Sequence, residues 1–194
     1  MLKSHAYGAS YLATKKSQRT IQSQQKLRII GGKWRGRTIP FPTVQGLRPT
    51  GDRIRETVFN WLTPTIEGAR CLDLFAGSGA LSFEALSRGA AHCTALELQD
   101  AAISQLRDSA TVLAAHDLRV VQTNSLQYLE NNVAEWQYDL AFVDPPFDTP
   151  LLSSACALLE RGQWLAVNAK IYCELSAADN SFLPPPNWQL LREK

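Results

Sequence analysis

Several residue patterns that would point to common functional classes are missing from this chain of 194 residues. Its four cysteines are scattered without a Cys-x-x-Cys pair, and none of its three histidines has metal-ligand spacing with them. We therefore expect no metal site, and free thiols that suit a reducing cytoplasm. The first 26 residues also contain no apolar run long enough for a signal peptide or a membrane span, so we expect no membrane partner.

The charge distribution is strongly asymmetric, although the formal net charge is only +2. Residues 1–60 contain twelve Lys and Arg against two acids, whereas residues 61–194 contain eight against sixteen. So basic an N-terminal segment predicts a polyanionic partner. Within it, residues 1–26 are rich in Ser, Gln, Lys and Ala and have no sustained apolar period, which predicts a disordered basic tail.

From residue 65 onward, strand-like and helical patterns alternate. The strand-like runs are 70–74, 92–97, 118–123, 138–143, 168–174 and 188–191, and the helical runs lie near 79–88, 100–115, 125–132 and 150–160. This alternation predicts an α/β fold with a doubly wound, mostly parallel sheet. In such sheets, ligands bind at the carboxyl ends of the strands.

A strand, a glycine turn and a helix start follow one another in residues 71–81. Glycines in such a turn let the backbone and the first N–H groups of the helix approach a ligand. The third glycine of a dinucleotide motif is missing, because Ser82 occupies its place. An acid before the turn, Asp73, suits an ammonium group rather than a pyrophosphate.

An acidic residue, Glu97, ends the next strand-like run and is placed to accept the hydroxyls of a ribose. A ribose and an amino acid end without phosphate describe S-adenosylmethionine (SAM), which we predict as the cofactor. Asn124 follows the third strand, where it serves equally well as an adenine contact or as a helix N-cap. The predicted SAM-binding residues are Asp73, Phe75, Gly77, Ser78, Gly79, Glu97, Asn124 and Ser125.

The strand-like run 138–143 ends in Asp144-Pro145-Pro146-Phe147. Asp144 offers a carboxylate acceptor for an exocyclic amine, and the prolines keep the Asp144 and Pro145 carbonyls out of a continuing ladder. Phe147 offers a face for stacking a base. We predict Asp144, Pro145 and Phe147 as the catalytic residues. A plain strand-terminating turn is the alternative interpretation of this segment alone.

An extension over residues 27–64 precedes the alternating region. Two strand-like runs, 27–30 and 34–39, flank Gly31-Gly32 and predict a hairpin, and a helix is predicted from Asp52 to Leu62 with Ile54, Val58, Trp61 and Leu62 on its apolar stripe. Basic residues beside an aromatic residue suit a nucleic acid backbone, although solvated arginines on a packed hairpin fit this segment equally well. The predicted RNA-binding residues are Lys33, Arg35, Arg37, Arg48, Thr50, Arg53 and Arg55.

Five sequence blocks together resemble the bacterial small-subunit rRNA guanine-N2 methyltransferases of the RsmD type. They are Leu47–Thr50, Arg53–Leu62, Leu72–Leu81, Glu84–Ala90 and Asp144–Phe147. The resemblance runs from about Leu27 to the end. It implies a Rossmann-like class I methyltransferase fold, SAM as methyl donor, a guanine of 16S rRNA within a small-subunit particle as substrate, and a monomer in the cytoplasm.

Three departures from the family pattern stand out. Gly51 replaces a threonine, Ser82-Phe83 replaces a Gly-Leu pair, and the family continues into one more strand where this sequence ends at Lys194. The first two are small changes that leave the motifs intact. The third implies that the last strand of the sheet is missing here.

Other functions remain open on the sequence. An adenine-N6 or protein-glutamine-N5 methyltransferase uses a related Pro-Pro-aromatic strand end, but Phe147 and the Arg48-Pro49-Thr50 block favour the rRNA guanine hypothesis. A nicotinamide-dependent oxidoreductase is disfavoured by Ser82 and by the lack of a Tyr/Lys or His catalytic set. A non-catalytic RNA-binding assembly factor is disfavoured because Asp144, Glu97 and both glycines are present.

Overall fold

The computed structural model describes residues 25–41, 51–146, 150–175 and 182–194. The N-terminal extension consists of β1 (Gln25–Arg28), a 3₁₀ turn (Gly32–Trp34), β2 (Thr38–Phe41) and α1 (Asp52–Ile66). Strands and helices then alternate: β3 (Arg70–Asp73), α2 (Ala80–Ser87), β4 (His92–Glu97), α3 (Asp100–Leu113), β5 (Leu118–Gln122), α4 (Ser125–Asn131), β6 (Tyr138–Val143), α5 (Leu151–Arg161) and β7 (Leu165–Cys173).

The central sheet has five parallel strands in the order β5-β4-β3-β6-β7. The chain starts in the middle at β3, adds β4 and β5 on one side, and then crosses to add β6 and β7 on the other. The carboxyl ends of β3 and β6 therefore flank the point where the strand order reverses, and this is where open α/β sheets bind ligands. The predicted doubly wound, parallel fold is confirmed.

Two hydrophobic clusters cover the two faces of the sheet. Because side chains alternate along a strand, Cys71 of β3 belongs to one cluster and Leu72 to the other, and both are fully buried. The first cluster joins the sheet to the extension, α2 and α3, and it contains the Phe59–Phe142 ring contact at 5.8 Å. The second joins the sheet to α4 and α5, with Tyr138 stacked on Trp164.

Helix α2 is buried along its whole length, and the N-terminal hairpin is fastened to it by polar contacts. The Glu84 carboxylate accepts the backbone N–H groups of Ile30 and Gly31, each at 2.8 Å. The Ser87 hydroxyl accepts the Trp34 N–H at 2.9 Å and donates to the Gly31 carbonyl at 2.5 Å. We call this contact between the 30–34 segment and α2 the hairpin dock.

Position 32 in the hairpin dock requires glycine, because its backbone lies very close to the backbone of α2. Gly32 has a φ of +73°, and a Cβ added there would lie 1.8 Å from the Ser87 carbonyl oxygen. Any larger residue would therefore push the hairpin off α2, as well as straining the backbone. The Gly-Gly pair predicted as a simple hairpin turn is thus also a packing surface.

Two sequence predictions, one for the hairpin and one for the C-terminus, differ from the structure. The second hairpin strand begins at Thr38 rather than at residue 34, because the 3₁₀ turn and the residues after it take up 32–37. Residues 188–191 are not a strand. Instead, the Trp188 indole N–H donates to Glu160 at 2.8 Å, which fastens this segment to the end of α5.

The buried face of α1 is rotated by one residue from the predicted stripe. Its buried residues are Arg55, Val58, Phe59 and Ile66, whereas Ile54 is 43% exposed. The helix also extends four residues beyond the predicted end at Leu62. No helix in the described part of the chain is long and apolar enough to cross a membrane.

Candidate active site

Side-chain packing helps to determine the conformation of the glycine turn between β3 and α2. Gly79 adopts a φ of +79°, and a Cβ there would lie 2.5 Å from Leu106 and 2.6 Å from Phe83. Gly79 is therefore required by the α2–α3 packing, whether or not a ligand approaches it. The Ser78 side chain before it is buried, and Phe75 at the start of the turn packs on the second hydrophobic cluster.

Glu97 ties the end of β4 to the glycine turn. Its Oε2 accepts the Gly77 N–H, and its Oε1 accepts the backbone N–H groups of Leu98 and Gln99, all at 2.8 Å. Three such bonds hold the carboxylate in one orientation at the carboxyl edge of the sheet. A carboxylate has about four acceptor positions, so this arrangement still has room for a ligand hydroxyl.

Asp73 is a buried carboxylate at the end of β3. Its Oδ2 accepts a hydrogen bond from the Ser82 hydroxyl at 2.6 Å, while its Oδ1 has no hydrogen-bond partner in the described part of the chain. Burial raises the pKa of Asp73 to about 6, against the lowering effect of the Ser82 hydrogen bond. An orphaned buried acceptor of this kind fits a cationic ligand group, such as an ammonium.

Asn124 and Ser125 lie at the start of α4. The Asn124 side-chain oxygen accepts the Gln127 N–H at 3.2 Å, so the helix N-cap interpretation of this residue holds in the structure. The buried Ser125 hydroxyl donates to the Leu74 carbonyl and joins α4 to the end of β3. The Ser125 bond therefore places the start of α4 beside the carboxyl end of β3.

The end of β6 lies beside the end of β7. Asp144 is half-buried, Pro145 is buried and Pro146 is exposed; Phe147 lies outside the described residues. The Glu174 N–H donates to the Val143 carbonyl at 3.1 Å, and the Tyr172 hydroxyl donates to Glu174 Oε2 at 2.8 Å. Burial, followed by the nearby charges of Glu174 and Asp144, raises the pKa of Tyr172.

Sequence reasoning missed Ser82, Tyr172 and Glu174. Ser82 was noted only as a departure from a glycine pattern, yet its hydroxyl is the partner of Asp73. Glu174 follows the last residue of β7, just as Glu97 ends β4 and Asp144 follows β6. An acid at a strand end was the available signal.

The predicted RNA-binding residues fall into four groups, of which the buried Arg55 is described separately below. Lys33, Arg35 and Arg53 are exposed, and the Lys33 ammonium lies 4.6 Å from the centre of the Trp34 ring. Arg37 is exposed too, but its guanidinium donates to the Val112 carbonyl at 2.8 Å and fastens the hairpin to α3. The remaining predicted residues outside α1, Arg48 and Thr50, lie outside the described residues.

Arg55 does not present its guanidinium to RNA, which corrects its prediction as an RNA contact. The side chain is fully buried, and its Nη2 donates to the Arg28 carbonyl at 2.6 Å and to Asp52 at 2.9 Å. Its Nε lies 4.0 Å from Glu84. Burial lowers the pKa of Arg55, against the opposing effects of Glu84 and Asp52. Arg55 joins α1, β1 and α2.

No group of His, Cys, Asp and Glu among the residues that the structure describes has the arrangement of a metal site. Four acidic residues lie at or just beyond the carboxyl ends of strands: Asp73 on β3, Glu97 on β4, Asp144 after β6 and Glu174 after β7.

Comparison with known proteins shows where this arrangement belongs. The family model "Conserved hypothetical protein 95" matches residues 27–194. The chain is 48% identical to ribosomal RNA small subunit methyltransferase D of Escherichia coli over 169 residues, covering 87% of this chain and 84% of that protein. It is 44% identical to the Haemophilus influenzae protein of the same name over 177 residues, covering 90% and 91%.

A solved structure gives the same result for the fold. A putative methyltransferase from Escherichia coli superposes with a TM-score of 0.81 at 48% identity, covering 88% of this chain and 92% of that one. The five-stranded parallel sheet with flanking helices is thus a Rossmann-like class I methyltransferase fold. The predicted family is confirmed, and this chain belongs to the conserved hypothetical protein 95 family, together with ribosomal RNA small subunit methyltransferase D.

Proposed function

We propose that this protein transfers a methyl group from SAM to the exocyclic N2 of a guanine in the 16S rRNA of the small ribosomal subunit. The names of its relatives support rRNA methylation. The observation that carries the proposal is the order of the strands. Because β3 lies between β4 and β6, the glycine turn after β3, Glu97 at the end of β4 and Asp144 after β6 share one edge of the sheet, beside the point where the strand order reverses. That arrangement sets an acceptor for a base amine beside groups suited to a nucleoside cofactor.

The residues present fit SAM. Asp73 Oδ1, as an orphaned buried acceptor, suits the ammonium of the cofactor, and Glu97 is held in place to accept a ribose hydroxyl. The start of α2, together with Phe75, Ser78, Asn124 and Ser125, is proposed to line the rest of the cofactor. Bound SAM supplies an electrophilic methyl group on a sulfonium.

Asp144 and the Pro145 carbonyl are proposed to hold the amine of the guanine. The N2 lone pair is delocalised into the ring, so the nitrogen is a poor nucleophile. Two acceptors for its N–H bonds align the lone pair with the methyl group and favour pyramidalisation as the new bond forms. The base must leave any stack first, and Phe147 is proposed as its stacking partner. The N2 proton is lost readily after methyl transfer.

The experiment that tests this function is transfer of labelled methyl from SAM to small subunits lacking the modification, followed by nucleoside analysis. We expect labelled N2-methylguanosine, and a better rate on the assembled particle than on naked 16S rRNA. Labelled N6-methyladenosine would overturn the base assignment. A label on protein glutamine would overturn the RNA assignment.

The pH dependence of SAM binding tests the role of Asp73. Its raised pKa, about 6, means that the carboxyl is neutral below that pH and must lose a proton before it pairs with the ammonium of SAM. SAM affinity should therefore fall by up to about tenfold per pH unit below pH 6, and level off above it. Isothermal titration between pH 5 and pH 7 measures this.

Two variants separate Asp73 from other titrating groups. Asp73→Asn should bind SAM more weakly at pH 7 and show little pH dependence. Ser82→Ala removes a hydrogen bond that lowers the pKa of Asp73, so the midpoint should move to higher pH. An unchanged pH profile in Asp73→Asn would assign the dependence to another group.

The salt dependence of RNA binding tests the extension. Lys33 and Arg35 are exposed on the hairpin, and replacing both by Gln should weaken RNA binding and leave SAM affinity unchanged. The slope of log affinity against log salt should become less negative by about 0.7–0.9 for each phosphate that the variant no longer neutralises. Arg161→Gln, at the end of α5 on the other face of the sheet, is the matched control. An unchanged salt slope in the double variant would make these residues structural.

A further inference from the structure

The ends of β6 and β7 carry two carboxylates side by side. The parallel register pairs Phe142 with Tyr172 and Val143 with Cys173, so one further step places Asp144 beside Glu174. The Glu174 N–H bond to the Val143 carbonyl, at 3.1 Å, extends the pairing by that step. The two residues therefore leave neighbouring strands at the same edge of the sheet, where the proposed base amine is held.

Tyr172 is a hydrogen-bond partner of the Glu174 carboxylate and helps to orient it. The two residues are two apart along β7 and so share a face of the sheet, and the Tyr172 hydroxyl donates to Glu174 Oε2 at 2.8 Å. The Tyr172 ring packs against the first hydrophobic cluster, which fixes the donor. Asp144 acts electrostatically on the same hydroxyl, so Tyr172, Glu174 and Asp144 form one local group.

Two adjacent carboxylates match the donor pattern of guanine. The Watson–Crick edge of guanine presents N1–H beside the N2 amine, two neighbouring donor groups. At the corresponding position adenine has an unprotonated N1, which is a hydrogen-bond acceptor. A carboxylate facing it would be repelled, because both atoms carry negative charge and neither supplies a proton. A site built to hydrogen-bond a group strongly rejects an analogue that lacks it, because its own polar atoms are then left unpaired.

We propose that Glu174 accepts the N1–H of the target guanine while Asp144 holds its N2 amine, so that Glu174 selects guanine against other purines. Tyr172 is the positioning residue for Glu174. This inference rests on the proposed guanine-N2 function and names the residue that determines its base specificity. It assigns no part of the methyl transfer itself to Glu174.

The test uses a base analogue that separates the two donor groups. In 2,6-diaminopurine the N2 amine is kept, but N1 carries a lone pair and no hydrogen. Small subunits are reconstituted with either guanine or 2,6-diaminopurine at the methylated position, and kcat/KM is measured on each. The wild-type enzyme should prefer guanine by at least about 10²-fold. In Glu174→Gln, the amide can donate to N1 of the analogue, so this preference should fall by at least about tenfold.

Controls keep the result specific to Glu174. Glu135→Gln, an exposed acid of the β6-proximal loop that pairs with Arg119, should keep the full preference for guanine. Tyr172→Phe should reduce the preference for guanine without abolishing it, because it loosens the Glu174 carboxylate without removing it. Glu174→Asp retains the charge and should still prefer guanine over the analogue. This variant provides the comparison if Glu174→Gln folds poorly.

The possible failures are distinguishable. A guanine preference that is unchanged in Glu174→Gln overturns the inference and leaves the proposed function standing. An Asp variant that loses the preference as completely as the Gln variant also overturns it, since the charge would then be irrelevant. If the wild-type enzyme makes no N2-methylguanosine on the natural particle, it is the proposed function that fails.

Discussion

Replacing Asp144 by alanine is expected to lower the rate of methyl transfer by about 10²–10³-fold, the usual effect of losing a positioned electrostatic group in an active site. SAM affinity and the melting temperature should stay close to the wild-type values, because Asp144 is half-buried at the end of β6 rather than part of the core. Single-turnover transfer to small subunits, with SAM binding measured separately, gives both quantities. Asp144→Asn should be milder, since the amide oxygen still accepts a hydrogen bond without the charge.

Asp139→Ala is the matched control for this experiment. Asp139 lies on the same strand but near its amino end, where it is exposed and accepts the Arg70 N–H at 2.9 Å. Its removal should leave the single-turnover rate unchanged. A near-normal rate for Asp144→Ala on the natural RNA would sink the proposed mechanism, and with it the assignment of this strand end as the catalytic site.

Replacing Glu84 by alanine is expected to lower the free energy of unfolding by about 3–5 kcal/mol, the range for breaking a buried ion pair by removing one partner. Glu84 is fully buried and lies between the guanidinium groups of Arg55 and Arg88, with the Arg88 contact at 2.8 Å. Its loss would leave two buried or half-buried cations without this partner and two hairpin N–H groups unsatisfied. Urea unfolding followed by circular dichroism measures the change.

The variant should also loosen the hairpin selectively. Hydrogen exchange at the Ile30 and Gly31 amides should accelerate more than exchange within β4, because those amides lose their acceptor. Glu130→Ala, an exposed acid on α4, is the control and should change stability by no more than about 0.5 kcal/mol. Equal stability losses in the two variants would show that the hairpin dock is not held by Glu84.

The sequence was sufficient for the parts of the fold that depend on local pattern. Strand-like runs predicted β3 to β6 within about one residue of their observed ends, because the apolar residues of short parallel strands alternate regularly with helical segments along the chain. The order of strands and helices then brought Gly77, Glu97 and Asp144 to one edge of the sheet. None of these steps required knowledge of contacts between distant residues.

The errors fall where distant residues decide the outcome. Arg55 was predicted as an RNA contact, yet Glu84 and the Arg28 carbonyl make its burial possible. The predicted stripe began at the apolar Ile54, whereas the buried face of α1 begins at Arg55, a charged residue that an apolar pattern leaves out. Glu84 itself lies on α2, which is buried along its whole length. The hairpin that covers it there is 53 and 54 residues away in the chain.

The hairpin dock also has a consequence for how the chain is made. The 30–34 segment finds its partners on α2 only across separations of 53 to 56 residues, so it leaves the ribosome before its binding surface exists. At about 5–20 residues per second, roughly 3–10 s pass before α2 has been synthesised. During that interval the apolar side chains of Leu27, Ile29, Trp34 and Ile39 have no core to enter. The basic residues around them keep the nascent segment charged, which limits its self-association until α2 arrives.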